Sequence, residues 1–291
     1  MKIVVTPPFT EEQKKRIMEA AGPEQPVFRL KSEITQELLS NTDVILGNLD
    51  NPSQARWAHH LKWIQLNNAG TEGYCEPGLL PDNAILTNAT GAYGLAISEH
   101  MIACLFMLRK KLNLYYEDQL RREWRREGHV GVIQSTTVLV IGLGDIGRTF
   151  ARKMKALGCY TIGIRRRISE KTVPEDAAAD EIHGMDELDR LLPCADVVAL
   201  SLPGNASTYH VLNRERIALL SPNAVVLNVG RGTAIDTDAL SDALYAGKIA
   251  GAALDVTDPE PLPADHPLWS ALGALITPHI SGGYSLPETL A

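Results

Sequence analysis

Residues 138–147 read Val-Leu-Val-Ile-Gly-Leu-Gly-Asp-Ile-Gly, an apolar run closed by three glycines in the spacing G-x-G-x-x-G. No other stretch of the chain restricts the fold so tightly. The spacing alone is a weak signal. With a buried-strand pattern before it and the amphipathic segment Arg148–Leu157 after it, it becomes a strand–turn–helix unit suited to a dinucleotide. Gly142 permits the tight turn, Gly144 lets backbone come close to a pyrophosphate, and Gly147 lets the helix lie against the strand. The helix start, Asp145 and Ile146, then faces the phosphates with its free amides.

One such unit cannot bury both faces of its strand, so more must surround it. Ile3–Val5, Val44–Leu46, Trp63–Leu66 and Ile85–Thr87 read as strands in the first part of the chain. Between the first two, Thr10 with Gln13 opens a capped helix carrying Ile17, Met18 and Ala21. A second set comprises Val138–Ile141, Thr161–Ile164, Val197–Leu200, Val225–Asn228, Ala252–Leu254 and Leu275–Thr277. These are almost wholly apolar, as strands covered on both faces must be. Helical segments such as Thr237–Ala246 separate them. Continuous β-α alternation implies parallel sheets with right-handed crossovers. The expected fold class is α/β: two domains, the second a doubly wound parallel sheet. A helical pattern from Gly94 to Arg109, extended toward Trp124, marks the crossover between them.

Composition removes several functional classes. With 45% apolar and 22% charged residues, the 291-residue chain has the balance of an ordinary cytoplasmic globular protein. Its longest apolar run, Met101–Leu108, is far short of the roughly 20 residues of a membrane span. The opening Met-Lys-Ile-Val-Val-Thr-Pro-Pro reads as a short buried strand and not as a signal peptide. Cys75, Cys104, Cys159 and Cys194 show no Cys-x-x-Cys spacing. No metal site is expected of them; four reduced, mostly buried thiols are. A formal net charge of −7 argues against a nucleic-acid or anionic-membrane surface. The basic run Arg121, Arg122, Arg125, Arg126 is interleaved with Glu117, Asp118, Glu123 and Glu127, which suggests a solvated helix face with i,i+4 pairs.

At the end of the strand after the glycine motif, an NAD site usually offers Asp or Glu to the ribose 2′-hydroxyl. Here the chain reads Thr161-Ile-Gly-Ile-Arg165-Arg166-Arg167. A carboxylate would repel a 2′-phosphate, whereas guanidinium groups pair with it and stack on adenine. NADP is therefore the preferred cofactor and NAD the alternative, the latter if the arginines form only a solvated loop.

Three further segments carry chemistry. They are Asn228-Val-Gly-Arg231-Gly, Asp255-Val-Thr-Asp-Pro-Glu260-Pro, and Thr277-Pro-His279-Ile-Ser-Gly-Gly. Each follows a buried strand, on the side of a doubly wound sheet where ligands bind. Arg231 can hold carboxylate and carbonyl oxygens in its planar fork. His279 can act as general acid in reduction and base in oxidation. Glu260 can orient the imidazole through charge pairing.

Together with the glycine motif and Leu202-Pro203, the order and spacing of these segments resemble the D-isomer-specific 2-hydroxyacid dehydrogenase family over nearly the whole chain. The resemblance implies a flavodoxin-like substrate domain, residues 1–97 completed by 280–291, interrupted by a Rossmann domain at 98–279, with the active site in the cleft between them. It implies Arg231, Glu260 and His279 as the catalytic set. Leu202 and Pro203 would line the adenosine pocket, Asp255 would receive the nicotinamide carboxamide, and Val229 and Gly282 would lie on the cofactor side. Gly70 and Thr71 would bind substrate carboxylate through backbone amides, with Ala69 beside them near the nicotinamide. Asn48 and Leu49 would touch the substrate side chain or form a plain turn. A homodimer through the cofactor domain is implied, with Met101, Ile102, Leu105, Phe106 and Leu108 as contributors unless they are ordinary core.

Two departures stand out. Where the family carries Gly-Lys before the glycine-motif strand, this chain has Ser135-Thr136-Thr137, a changed turn. The chain also stops at Ala291, just past Pro287, where the family's final helix should begin. The competing function is a dinucleotide-sensing binding protein of corepressor type, which would retain the same triad. Which 2-oxo acid is used does not follow from the residues.

Overall fold

The computed structural model describes residues 1–166 and 178–283 and divides into two compact units, Met1–Ala92 and the chain from Tyr93 onward. That division falls just ahead of the helix at Gly94, and residues 280–283 go with the second unit. Most of the segment expected to complete the first domain, 284–291, lies outside the described residues, as does Arg167.

The first unit contains β1 (Ile3–Val5), α1 (Glu11–Ala21), β2 (Val27–Phe28), α2 (Gln36–Ser40), β3 (Val44–Leu46), β4 (Trp63–Gln65) and β5 (Ile85–Thr87). The strands pair in parallel in the order β2-β1-β3-β4-β5, the flavodoxin-like arrangement. The capping box is present: Thr10 Oγ1 accepts from the Gln13 amide at 3.3 Å, and Gln13 Oε1 accepts from the Thr10 amide at 2.9 Å. Leu39, Ile45, Leu61, Ile64 and Leu66 form the core beneath the sheet. β2 went unforeseen because it is two half-exposed residues on the sheet edge, too short for a pattern.

The second unit runs α3 (Gly94–Arg109), α4 (Leu112–Arg121), β6 (Thr137–Ile141), α5 (Asp145–Ala156), β7 (Tyr160–Arg165), β8 (Glu181–Gly184), α6 (Leu188–Leu191), β9 (Val197–Leu200), α7 (Arg214–Ala218), β10 (Val225–Asn228), α8 (Thr237–Tyr245), β11 (Gly251–Leu254) and β12 (Ala274–Ile276). Its parallel sheet has the order β12-β11-β10-β9-β6-β7-β8, the Rossmann order with one strand added. The order reverses between β6 and β9, so the carboxyl ends of these two strands form the switch point where such sheets bind ligands. β9, β10 and β11 are buried at every position, which is why their sequences are apolar apart from Asn228 at the end of β10. α5 buries Gly147, Phe150, Ala151 and Met154, one stripe at i, i+3, i+4, i+7. Burying Phe150 and Met154 contributes roughly 1.5–3 kcal/mol each.

Several expectations are corrected here. The helix from Gly94 does not continue to Trp124; it breaks at Lys111, which takes φ 57°, and α4 ends at Arg122 with φ 59°. The basic run is therefore not one helix face. It closes on Asp118, whose side chain is 2% exposed and meets Arg121 Nη2 at 2.7 Å and Arg125 Nε at 3.1 Å. The Arg121 hydrogen bond is the main reason that carboxyl is held below its usual range. Met101 and Leu105 are buried in the core, and Ile102, Phe106 and Leu108, partly buried, pack against it. Cys104 and Cys159 are buried, but Cys75 and Cys194 are exposed; all four are free thiols.

Candidate active site

The glycine turn is built from backbone contacts that side chains would prevent. Gly142 has φ 100°; its amide donates to Ile164 O at 3.1 Å and its carbonyl accepts from Ser201 Oγ at 2.8 Å. A Cβ on Gly147 would stand 1.9 Å from that carbonyl oxygen, so only glycine lets α5 begin against the turn. Gly144 differs: a Cβ there would meet no protein atom within 4 Å. Packing makes no demand for glycine at that position, which leaves open space for the close approach of a ligand. These residues fit a dinucleotide pyrophosphate. Asp145 turns its carboxylate away, accepting from the Gly94 amide at 2.8 Å, so only its backbone remains for a phosphate. Ile146 packs toward the core.

Arg165 ends β7 and reaches back to Leu143 O at 3.5 Å, beside the glycine turn. Arg148 shares its surroundings: burial lowers its pKa, and the charges of Arg165 and Arg152 lower it further. Arg165 thus lies beside the turn with Arg148 near it, while Arg152, one helical turn on, and Arg166 are exposed. Arg148 was missed in the sequence. Its signal was its place directly after Gly147, one helical turn before Arg152. Leu202 also borders the turn, its Cδ2 lying 3.0 Å from where a Gly142 Cβ would be. Pro203 O accepts from Thr208 Oγ1 at 2.6 Å. Val229 is buried, and Gly282 packs against Tyr93 and Ile97 at the start of α3.

Beyond β10 the buried Asn228 shapes the turn that presents Arg231. Its Oδ1 accepts from the Gly230 amide at 3.1 Å and its Nδ2 donates to Arg231 O at 3.0 Å. Cβ atoms on Gly230 and Gly232 would strike Leu202 O at 2.5 Å and Thr257 O at 1.9 Å, so Arg231 sits between two close backbone passages. Its half-buried guanidinium donates from Nη1 to Gly230 O at 2.7 Å. In the loop after β11, Glu260 Oε1 meets His279 Nδ1 at 2.7 Å. His279 follows β12 with φ 52°, a left-handed conformation uncommon for a side chain of its size.

Asp255 is also tied into the protein itself. Its side chain is fully buried, and its two oxygens accept from Thr277 Oγ1 at 2.6 Å and from the amides of Ile280 and Ser281 at 2.9 Å. Burial would raise its pKa, but the bonds from Ser281, Thr277 and Ile280 outweigh burial and hold it low.

In the first unit, Asn48 and Leu49 belong to the interior. Asn48 N donates to Asn67 Oδ1 and Asn67 N to Asn48 Oδ1, both at 2.9 Å, and Leu49 N donates to Tyr74 Oη at 2.8 Å. Ala69 is exposed, with its carbonyl accepting from Asn88 Nδ2 at 2.6 Å; Gly70 and Thr71 are half-buried. The amides of these three residues donate to no acceptor among the described residues. Also among the described residues, no three His, Cys, Asp or Glu side chains are placed to hold a metal ion, and no helix is long and apolar enough to cross a membrane.

The family model described as D-isomer specific 2-hydroxyacid dehydrogenase, NAD binding domain, matches residues 102–281. The chain belongs to that family. It is 31% identical over 284 residues to the D-3-phosphoglycerate dehydrogenase of Methanocaldococcus jannaschii, a match covering 96% of this chain and 53% of that one. The chain thus spans about half the length of that curated relative. Among solved structures it is similar to a D-isomer specific 2-hydroxyacid dehydrogenase family protein from Aeromonas salmonicida, with TM-score 0.84 and 29% identity, covering 99% of this chain and 91% of that one. It is also similar to the D-isomer specific 2-hydroxyacid dehydrogenase of Xanthobacter autotrophicus Py2 solved with NADPH and MES, with TM-score 0.81 and 25% identity, covering 99% and 90%. The two parallel sheets are those the 2-hydroxyacid dehydrogenase resemblance implied.

Proposed function

We propose that this family member transfers a hydride between a nicotinamide dinucleotide and a small 2-oxo or D-2-hydroxy acid. The observation that carries the proposal is the His279–Glu260 pair, brought together at 2.7 Å from the loops after two different strands. The dinucleotide, when bound, supplies or accepts the hydride; Gly142, Gly144, Gly147 and the first amides of α5 would hold its pyrophosphate.

This chain's own residues do the rest. Glu260, as an ionised acceptor, takes Nδ1–H of His279 and so leaves Nε2 as the working nitrogen. When the ring is protonated, Nε2–H donates to the carbonyl oxygen being reduced; when neutral, Nε2 takes the hydroxyl proton in the reverse direction. Arg231, pre-ordered on Gly230 O, clamps the carboxylate and carbonyl oxygens. Met1–Ala92 serves as the substrate unit, and the unengaged amides of Ala69, Gly70 and Thr71 support carboxylate binding there. Asn48 and Leu49 hold that loop from within. Arg165, with Arg148 near it, favours NADP over NAD.

The test is an assay of glyoxylate, hydroxypyruvate, pyruvate, phenylpyruvate and branched 2-oxo acids with NADPH and NADH. At least one should be reduced, to the D-hydroxy acid; no turnover with any, or an L-product, would refute the proposal.

A second copy of the chain is the proposed partner. Leu112, Tyr116 and Leu120 recur every four residues on α4 and are 52–67% exposed, an apolar stripe that a homodimer would cover, and Trp124 past the helix end is exposed as well. A monomeric mass in solution would contradict this.

A further inference from the structure

Asp255 holds the turn that carries His279. Its carbonyl accepts from the His279 amide at 2.8 Å, its Oδ1 from Thr277 Oγ1 and the Ile280 amide, and its Oδ2 from the Ser281 amide. A residue at φ 52° keeps that conformation only where its surroundings over-determine it, and these four bonds are such surroundings. Thr277 has a single hydroxyl proton, and the carboxylate, which can only accept, takes it.

A third residue then enters. His100, on α3, has Nε2 at 3.2 Å from Thr277 Oγ1, 3.4 Å from Cys104 Sγ and 4.0 Å from Asp255 Oδ1. With the Thr277 proton already committed, that hydroxyl can only accept, so His100 donates from Nε2. A chain of donors results: His100 Nε2–H to Thr277 Oγ1–H to Asp255 Oδ1. Without its first link the Thr277 hydroxyl keeps one bond about which to swing, and the carboxylate it anchors can follow. α3 packs against α5 and β11, so the link ties the turn to the rigid part of the unit.

We propose that His100 is a positioning residue for His279, fixing the turn 277–281 through Thr277 and Asp255 and so the direction of the catalytic imidazole. The proposal rests on the reading of His279 as proton donor. The test compares His100→Leu, His100→Gln and Thr277→Val. It reads hydrogen exchange at the His279, Ile280 and Ser281 amides in the cofactor-free protein by NMR, then kcat and the NADPH dissociation constant. His100→Leu should speed exchange at those amides about tenfold or more and lower kcat about tenfold. NADPH binding should stay within about threefold. His100→Gln, whose side-chain amide can donate from a similar place, should restore most of both. Thr277→Val should reproduce His100→Leu, and the double variant should be no worse than either single one. Should His100→Leu fail to fold, Thr277→Val and His100→Gln still give the answer. Unchanged exchange in a folded His100→Leu or Thr277→Val protein, or a Gln variant no better than Leu, would overturn the proposal. Faster exchange with unchanged kcat would uphold the turn's anchor and refute His279 as the donor.

Discussion

His279 Nδ1 and Glu260 Oε1 stand 2.7 Å apart, with the two side chains 49% and 43% exposed. An ion pair so open to water contributes little to stability. In the proposed mechanism its use is direction, since the acceptor on Nδ1 decides which ring nitrogen faces the reactant. Glu260→Ala should therefore lower kcat about 10–100-fold with almost no change in Tm. Glu260→Gln, which keeps an acceptor oxygen, should lose less. Steady-state kinetics beside thermal melts would check this; wild-type kcat in Glu260→Ala would show that the pair does not aim the ring.

Asp255 should leave a signature in acid. Despite the opposing effect of its burial, hydrogen bonds from Ser281, Thr277 and Ile280 keep its folded pKa below the ordinary value. A carboxyl of that kind binds fewer protons folded than unfolded. Its contribution to stability is complete above about pH 5 and is lost as pH falls through its unfolded value of about 3.9 toward the folded one. Asp255→Asn should be destabilised most near neutrality, with the gap in Tm to wild type closing as the pH drops to about 3. Melts of both proteins across that range decide it, and a constant gap would contradict the assignment.

Arg165 and Arg148 predict cofactor choice. Charge-assisted bonds to a 2′-phosphate contribute about 1.5–3 kcal/mol each, and the low end of that is about tenfold in affinity. KM for NADPH should be lower than for NADH by at least about tenfold. Arg165→Asp should reverse the order, and Arg148→Gln should raise KM for NADPH while sparing NADH. Equal KM values in the wild type would mean that the guanidinium groups do not meet a phosphate.

Ser135, in the segment where the resemblance expects Gly-Lys, takes φ 65°, with its amide donating to Gly158 O at 2.9 Å. A left-handed non-glycine residue costs about 1–2 kcal/mol, and glycine returns about 0.5–1 kcal/mol of that in lost chain entropy. Ser135→Gly should raise Tm by about 1–4 °C; a lower Tm in a scanning melt would contradict the strain.

What was legible in the chain follows from burial. Val197–Leu200 and Val225–Asn228 are covered on both faces, so their strands show as apolar runs, the second ending in the buried Asn228. The glycine turn shows because Gly142 and Gly147 have no room for a Cβ. The edge strands Val27–Phe28 and Glu181–Gly184 are partly exposed and carry no such pattern. The break at Lys111 has no glycine or proline to announce it. Charge spacing showed that Arg121 and Arg125 have acidic neighbours, but not that the buried one, Asp118, gathers both. Arg231, Glu260 and His279 were readable as residues following strands, whereas the Asp255 bonds depend on a turn that only the folded chain displays.

The most direct measurement is kcat for NADPH-dependent reduction of the best 2-oxo acid by the wild-type chain and by His279→Ala, with the NADPH dissociation constant of each. The expected result is a loss of about 10²–10⁴ in rate with NADPH binding unchanged. Wild-type turnover in a folded His279→Ala protein would contradict His279 as the proton donor.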